Sequence, residues 1–142
     1  MISGKLISII EKNADTIIQR LIKELRTNSR TTAYKNLDDS QLIERTKNVY
    51  FHLSSWLGDK KDEEIGELYH ALGSERLKEN IPLSQLISAL TITRNHLCRY
   101  IENEIPCNSS LETYQLMEFT NYITTFFDKA IYHSVRGTED SK

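Results

Sequence analysis

The sequence predicts an all-α domain, a single bundle of about five helices, on three observations. Apolar residues recur at three- and four-residue spacing through most of the chain, which aligns them along helical faces. Helix start signals recur before those stripes, and no segment alternates as a strand would. At 142 residues with 39% hydrophobic and 27% charged side chains, the chain is long enough for one enclosed core and too apolar for wholesale disorder.

The first stripe runs from about Ser3 to Arg26, through Leu6, Ile10, Ala14, Ile17, Leu21 and Leu25, widened by Ile7, Ile18 and Ile22. "TNSRTTAYKN" lacks periodicity and reads as a loop, pinned to the body by Tyr34 and Leu37. A second helix starts at a capping box of Asp38 and Gln41, buries Leu42, Val49, Leu53, Trp56 and Leu57, and stops at Gly58 as a left-handed residue. A third spans Asp62 to about Lys78 and buries Ile65, Leu68, Tyr69 and Leu72. Its Gly66 and Gly73 weaken it by up to about 1 kcal/mol each, which favours close approach of another backbone.

"ENIP" is a corner between helices. Asn80 tolerates the left-handed stop, Ile81 is pushed toward extended geometry, and Pro82 opens the next helix. That fourth helix carries Leu83, Leu86, Ile87, Leu90, Leu97 and Ile101 and ends before Pro106. The fifth opens with a capping box of Ser109 and Glu112 and continues to Gly137 as its C′ stop. Leu116, Ile123, Phe127, Ala130 and Ile131 form its stripe, and further apolar residues surround it. Such a helix lies centrally or forms a subunit interface. One domain over residues 1–137 and a polar tail over 138–142 follow.

Chemistry is sparse. No phosphate loop, nucleophile elbow or His-Glu metal helix occurs, and the paired acidic residues occupy helix starts, so the chain reads as a non-enzyme. Cys98 and Cys107 have no metal or redox spacing. The four histidines fall on four helices, with His70 and His96 turned off the apolar stripes, which leaves no cofactor or metal expected. A net charge of −2 gives no general pull toward nucleic acid or anionic membrane, and no apolar run reaches bilayer length. A cytoplasmic location is the default. Arg76 is the exception among the charges: it lies on its helix's apolar stripe, either clamping a carboxylate such as Glu79 or Glu102 or facing a cleft with Trp56 and Tyr69.

"TTAYKNLDDSQL", "LSSWL", "LYHALGSERLKENIPLSQLISALTITRNHL" and "TTFFDKAI" come in an order that resembles the amino-terminal helical domain of RsbRD-type proteins, the RsbT co-antagonist group of bacterial stress signalling. Similar domains also precede histidine kinases. Leu72, Gly73 and Arg76 with Asn80 to Leu83 are the most specific part, and Asn80 stands where glycine is usual. The resemblance implies a regulatory input domain that partners a kinase or STAS-type output module and forms a homodimer. The apolar residues Met117, Phe119, Tyr122 and Phe126 are the candidate dimer face. A globin-like small-molecule or haem sensor is the alternative. A DNA-binding regulator, with the fourth helix reading bases, is a more remote one.

Overall fold

The structure is a computed structural model describing residues 2–59 and 61–142, with side chains from Gly4 onward. Helices α1 (Ile2–Thr27), α2 (Asp39–Asp59), α3 (Asp62–Lys78), α4 (Leu83–Glu104) and α5 (Ser110–Asp140) form an all-α bundle. A sixth helix, a 3-10 segment at Ser29–Asn36, occupies the stretch expected as a loop. Short 3-10 turns need no 3.6-residue periodicity, so this one leaves no stripe in the sequence. It is built around two anchors. Thr31 is buried and donates its hydroxyl to the Leu25 carbonyl at 2.8 Å, and Tyr34 is buried beside it.

The helix starts are those the sequence spells. Asp38 Oδ1 accepts from Gln41 N at 2.8 Å while Gln41 Oε1 accepts from Asp38 N at 3.1 Å. Ser109 Oγ accepts from Glu112 N at 3.1 Å, and Glu112 Oε1 takes the Asn108 N–H. At the corner after α3, Asn80 has φ 62° and is the one non-glycine residue with positive φ among the described residues. Its N–H bonds the Leu77 carbonyl and the Ile81 N–H bonds the Arg76 carbonyl, each at 3.0 Å. That pair of bonds is a Schellman stop, and buried Ile81 supplies its apolar contact. Pro82 sits at the N-cap, one residue outside α4 rather than at its first position, with its carbonyl receiving Leu86 N.

Two expected stops are absent. Gly58 lies inside α2 and no glycine has positive φ among the described residues. Gly137 lies inside α5, which runs on through Thr138 to Asp140. The reason is tertiary: α5 crosses α3 at backbone distance. A Cβ on Gly73 would collide with the Ser134 carbonyl, and a Cβ on Gly137 with the His70 carbonyl. Thr138 Oγ1 donates to Gly73 O at 3.1 Å across this crossing, and Ser141 bonds Ser74. The backbone approach expected of both α3 glycines holds at Gly73 alone; Gly66 meets the His133 ring, a side chain, instead.

The core is one cluster filled from all five long helices. α5 packs against each of the other four, and Phe119, Ile123, Phe126, Phe127 and Ala130 are buried. Leu68 departs from its expected place, being 44% exposed on the outer side of α3.

Candidate functional site

A small cavity of about 50 Å³ lies between α2, α3, α4, the 3-10 segment and the end of α1. Leu25, Leu42, Val49, Leu72, Leu86 and Leu90 supply its apolar wall, and Tyr34, Arg45 and Arg76 its polar side. Each helix reaches it with its inward stripe, which is why a pocket at this junction is greasy. The two arginines converge on one carboxylate: Arg76 Nη1 lies 3.0 Å from Glu79 Oε1, and Arg45 Nη2 bonds Glu79 Oε2. Glu75 is 3.8 Å from Arg76 on the solvent side. The carboxylate clamp expected of Arg76 is therefore Glu79. Arg45 Nη1 is buried with no hydrogen-bond partner among the described residues. An orphaned guanidinium donor is costly to bury, so one at a cavity calls for an acceptor there.

The electrostatics fix the charge of two groups at this cavity. Burial pushes the Tyr34 hydroxyl up to about 12, with the arginines pulling against it, so it stays protonated. Partial burial would raise the Glu79 carboxyl, but the Arg45 and Arg76 contacts outweigh it and hold the group below its ordinary value. A neutral phenol and a locked carboxylate cannot trade protons near neutrality.

The three residues expected to share a cleft are split. Arg76 lines this cavity. Trp56 is buried elsewhere, its Nε1 donating to Asp62 Oδ1 at 2.8 Å, while Lys129 of α5 holds the other oxygen at 3.2 Å. Tyr69 is fully buried, its hydroxyl 3.2 Å from His52 Nδ1. Both rings pack on Phe126, at 6.0 Å for Trp56 and 5.9 Å for Tyr69. Arg45 is the residue sequence reasoning missed. It carries the signal that singled out Arg76, a charge one turn from Leu42 and Val49 on an apolar stripe.

The four residues expected as a dimer face do not form one surface. Phe119 is 1% and Phe126 0% exposed, Tyr122 is partly buried, and Met117 is 61% exposed. Apolar residues around the circumference of α5 reflect its four helical neighbours. Three of the four histidines are hydrogen-bonded individually, His52 to Tyr69 as above. His70 Nε2 lies 2.8 Å from Asp140, and His96 Nε2 lies 2.6 Å from Glu24. Among the described residues no group of three or more His, Cys, Asp or Glu is placed to hold a metal. No described helix is long and apolar enough to cross a membrane.

Residues 4–139 match the family model described as histidine kinase N terminal. The chain belongs to that family. No curated protein and no solved structure matches it. As a histidine kinase N-terminal domain, the bundle is a sensory or input domain of a histidine kinase-type regulator and works with a kinase or output module. The match is to the kinase setting of the resemblance, and the RsbRD assignment is a narrower reading.

The titrating groups of this histidine kinase N-terminal domain set a pH window. Burial lowers the His52 pKa below 6.5, so the unfolded chain takes the proton first as pH falls through that value. Stability is present above it and is lost on the way down. Asp62, Glu79 and Asp140 are all depressed and add a second loss at lower pH, as each is protonated in the fold. On the alkaline side the unfolded tyrosines ionise near 10.0 while Tyr34 resists to about 12, so stability falls again above 10.0. Urea midpoints measured across pH should show a plateau between these limits. A His52→Asn variant should lose the first acid step and keep the second.

Proposed function

We propose that this domain is a non-catalytic cytoplasmic input module, in which the state of the Arg45–Arg76–Glu79 cavity sets the packing of the bundle. The ends of α1 and α5 pass that packing to a partner kinase or output module. The observation that carries the reading is the buried, unpartnered Nη1 of Arg45, a residue that lines the apolar cavity. Its natural complement is a carboxylate with a small apolar body, because a charged acceptor satisfies the guanidinium and the body fills the wall. Occupation would compete with Glu79 for Arg45. Glu79 caps the corner between α3 and α4, so its release bears on the α3–α5 crossing.

The experiment is hydrogen exchange on the domain with and without butyrate, at constant ionic strength. Saturable protection of α3 and the last turns of α5, abolished in Arg45→Gln, is the expected result. No saturable change, or the same change in Arg45→Gln, removes the ligand reading.

A stress-regulatory, RsbRD-like setting with a STAS-type output is the narrower form of this proposal. A homodimer belongs to it as well. Leu111, Tyr114 and Met117 are exposed and spaced by three along the first turns of α5, which makes them the apolar strip open to a second subunit or a partner.

A further inference from the structure

A second, unrelated hollow lies between α1 and α4, and its charge is unbalanced. It has a volume of about 150 Å³ and is lined by Ile17, Arg20, His96, Arg99, Tyr100 and Asn103. That is below the roughly 300–1,000 Å³ of drug-sized sites, a scale for an anion of a few heavy atoms. The lining is one helical face from each side. His96, Arg99, Tyr100 and Asn103 recur at three- and four-residue spacing on α4, and Ile17 and Arg20 on α1.

The frame is prepared. Tyr100 Oη donates to Asn13 Oδ1 at 2.6 Å, and Asn13 in turn donates to the Ile9 carbonyl at 2.8 Å. That fixes the phenol ring, and the Arg20 guanidinium lies over it, 5.8 Å from its centroid. A cation stacked on an aromatic face keeps its N–H edge free for an acceptor. The carboxylate on the same side is already taken. Glu24 gives Oε1 to His96 at 2.6 Å and Oε2 to Asn28 at 3.3 Å. Neither Arg20 nor Arg99 has an ion-pair partner among the described residues, although nine such pairs form among those residues, one of them His96–Glu24 at this hollow. Glu102 acts on Cys98 together with Arg94, another side chain outside the lining.

We infer that this hollow is a binding site for a compact phosphate dianion, held between the Arg20 and Arg99 guanidiniums with Asn103 as a neutral donor. Two uncompensated single charges match one doubly charged group, and guanidinium forks fit phosphate oxygens in pairs. Free phosphate and a small phosphate monoester present the same group. The site shares no residue with the Arg45 cavity, so it stands or falls independently of the function proposed above.

The test is calorimetric titration of the whole chain with inorganic phosphate and, in parallel, glycerol 3-phosphate, at ionic strength held with sodium chloride. Saturable one-to-one binding is expected, weakened tenfold or more in Arg20→Gln and in Arg99→Gln and unchanged in Lys61→Gln, which removes a charge on the α2–α3 side. Both arginines are exposed, so circular dichroism should show folded variants. Whichever of the two probes binds tighter names the source, and either upholds the site. Absence of saturable binding would overturn the inference, as would equal weakening in Lys61→Gln. Malonate binding as tightly as phosphate would also sink it, by removing the phosphate class.

Discussion

Gly73→Ala and Gly137→Ala should each destabilise the domain by about 3 kcal/mol or more, although alanine is the better helix former by up to about 1 kcal/mol. In each case the new methyl meets a backbone carbonyl of the facing helix, Ser134 for Gly73 and His70 for Gly137. A backbone atom cannot swing aside as a side-chain tip does, so α3 and α5 must separate. Separation also loses the Thr138–Gly73 bond and stretches the His70–Asp140 and Ser141–Ser74 contacts along the same crossing. Against a total stability of about 5–15 kcal/mol this is a large fraction, worth roughly 10 °C in melting temperature for a chain of this size. Gly58→Ala is the contrasting control. Nothing lies within 4 Å of its added Cβ and φ is not positive, so it should be neutral or slightly stabilising. Thermal melts of the three variants decide it. Gly73→Ala melting with the wild type would mean that the two helices do not touch at this point.

Phe126→Ala should cost about 3–5 kcal/mol, the second large effect. The ring is fully buried and touches three aromatic neighbours, Trp56, Tyr69 and Phe127, the last at 5.2 Å and near-perpendicular. Removing it opens a void bordered by stiff rings that collapse poorly. Trp56, the only tryptophan, sits 6.0 Å away and reports the change directly through its emission. Met117→Ser, at an exposed position of the same helix, should leave stability within about 0.5 kcal/mol. The pair separates two roles that the sequence had merged. If Phe126→Ala leaves unfolding untouched and instead dissociates a dimer, the ring is at an interface after all.

Most of the fold was legible because its signals are local. Capping boxes at Asp38 and Ser109 involve residues three apart, and the Asn80–Pro82 corner follows from two backbone preferences within one turn. The stripes of α1, α2, α4 and α5 were legible for the same reason, since burial on one side imposes a period of 3.6. The 3-10 segment has no such period. It is held by Thr31, Tyr34 and the Gln85 side chain of α4, which accepts from Ala33 N at 2.7 Å and donates to Thr32 at 3.0 Å. Gln85 is 52 residues distant from Ala33, and no window along the chain contains both.

The candidate site was half legible. A charge on an apolar stripe singled out Arg76, and the same signal would have singled out Arg45. Which carboxylate they share, and that one Arg45 nitrogen is left over, depends on how α2 stands beside α3. Trp56 and Tyr69 were placed with Arg76 because all three look inward. Inward directions from different helices converge on different parts of a core.

By itself, then, the sequence determined the helices, their starts and corners, and the inward face of nearly every one. Those are consequences of backbone geometry and of hiding apolar area, both of which act over a few residues. The tertiary structure alone decided which inward residues meet. It made Gly137 a crossing point instead of a stop, put Phe119 and Phe126 inside the core, and gathered Arg45, Arg76 and Glu79 at one cavity. Contacts between helices depend on steric fit between surfaces remote in sequence, and spacing along one chain segment carries no record of that fit.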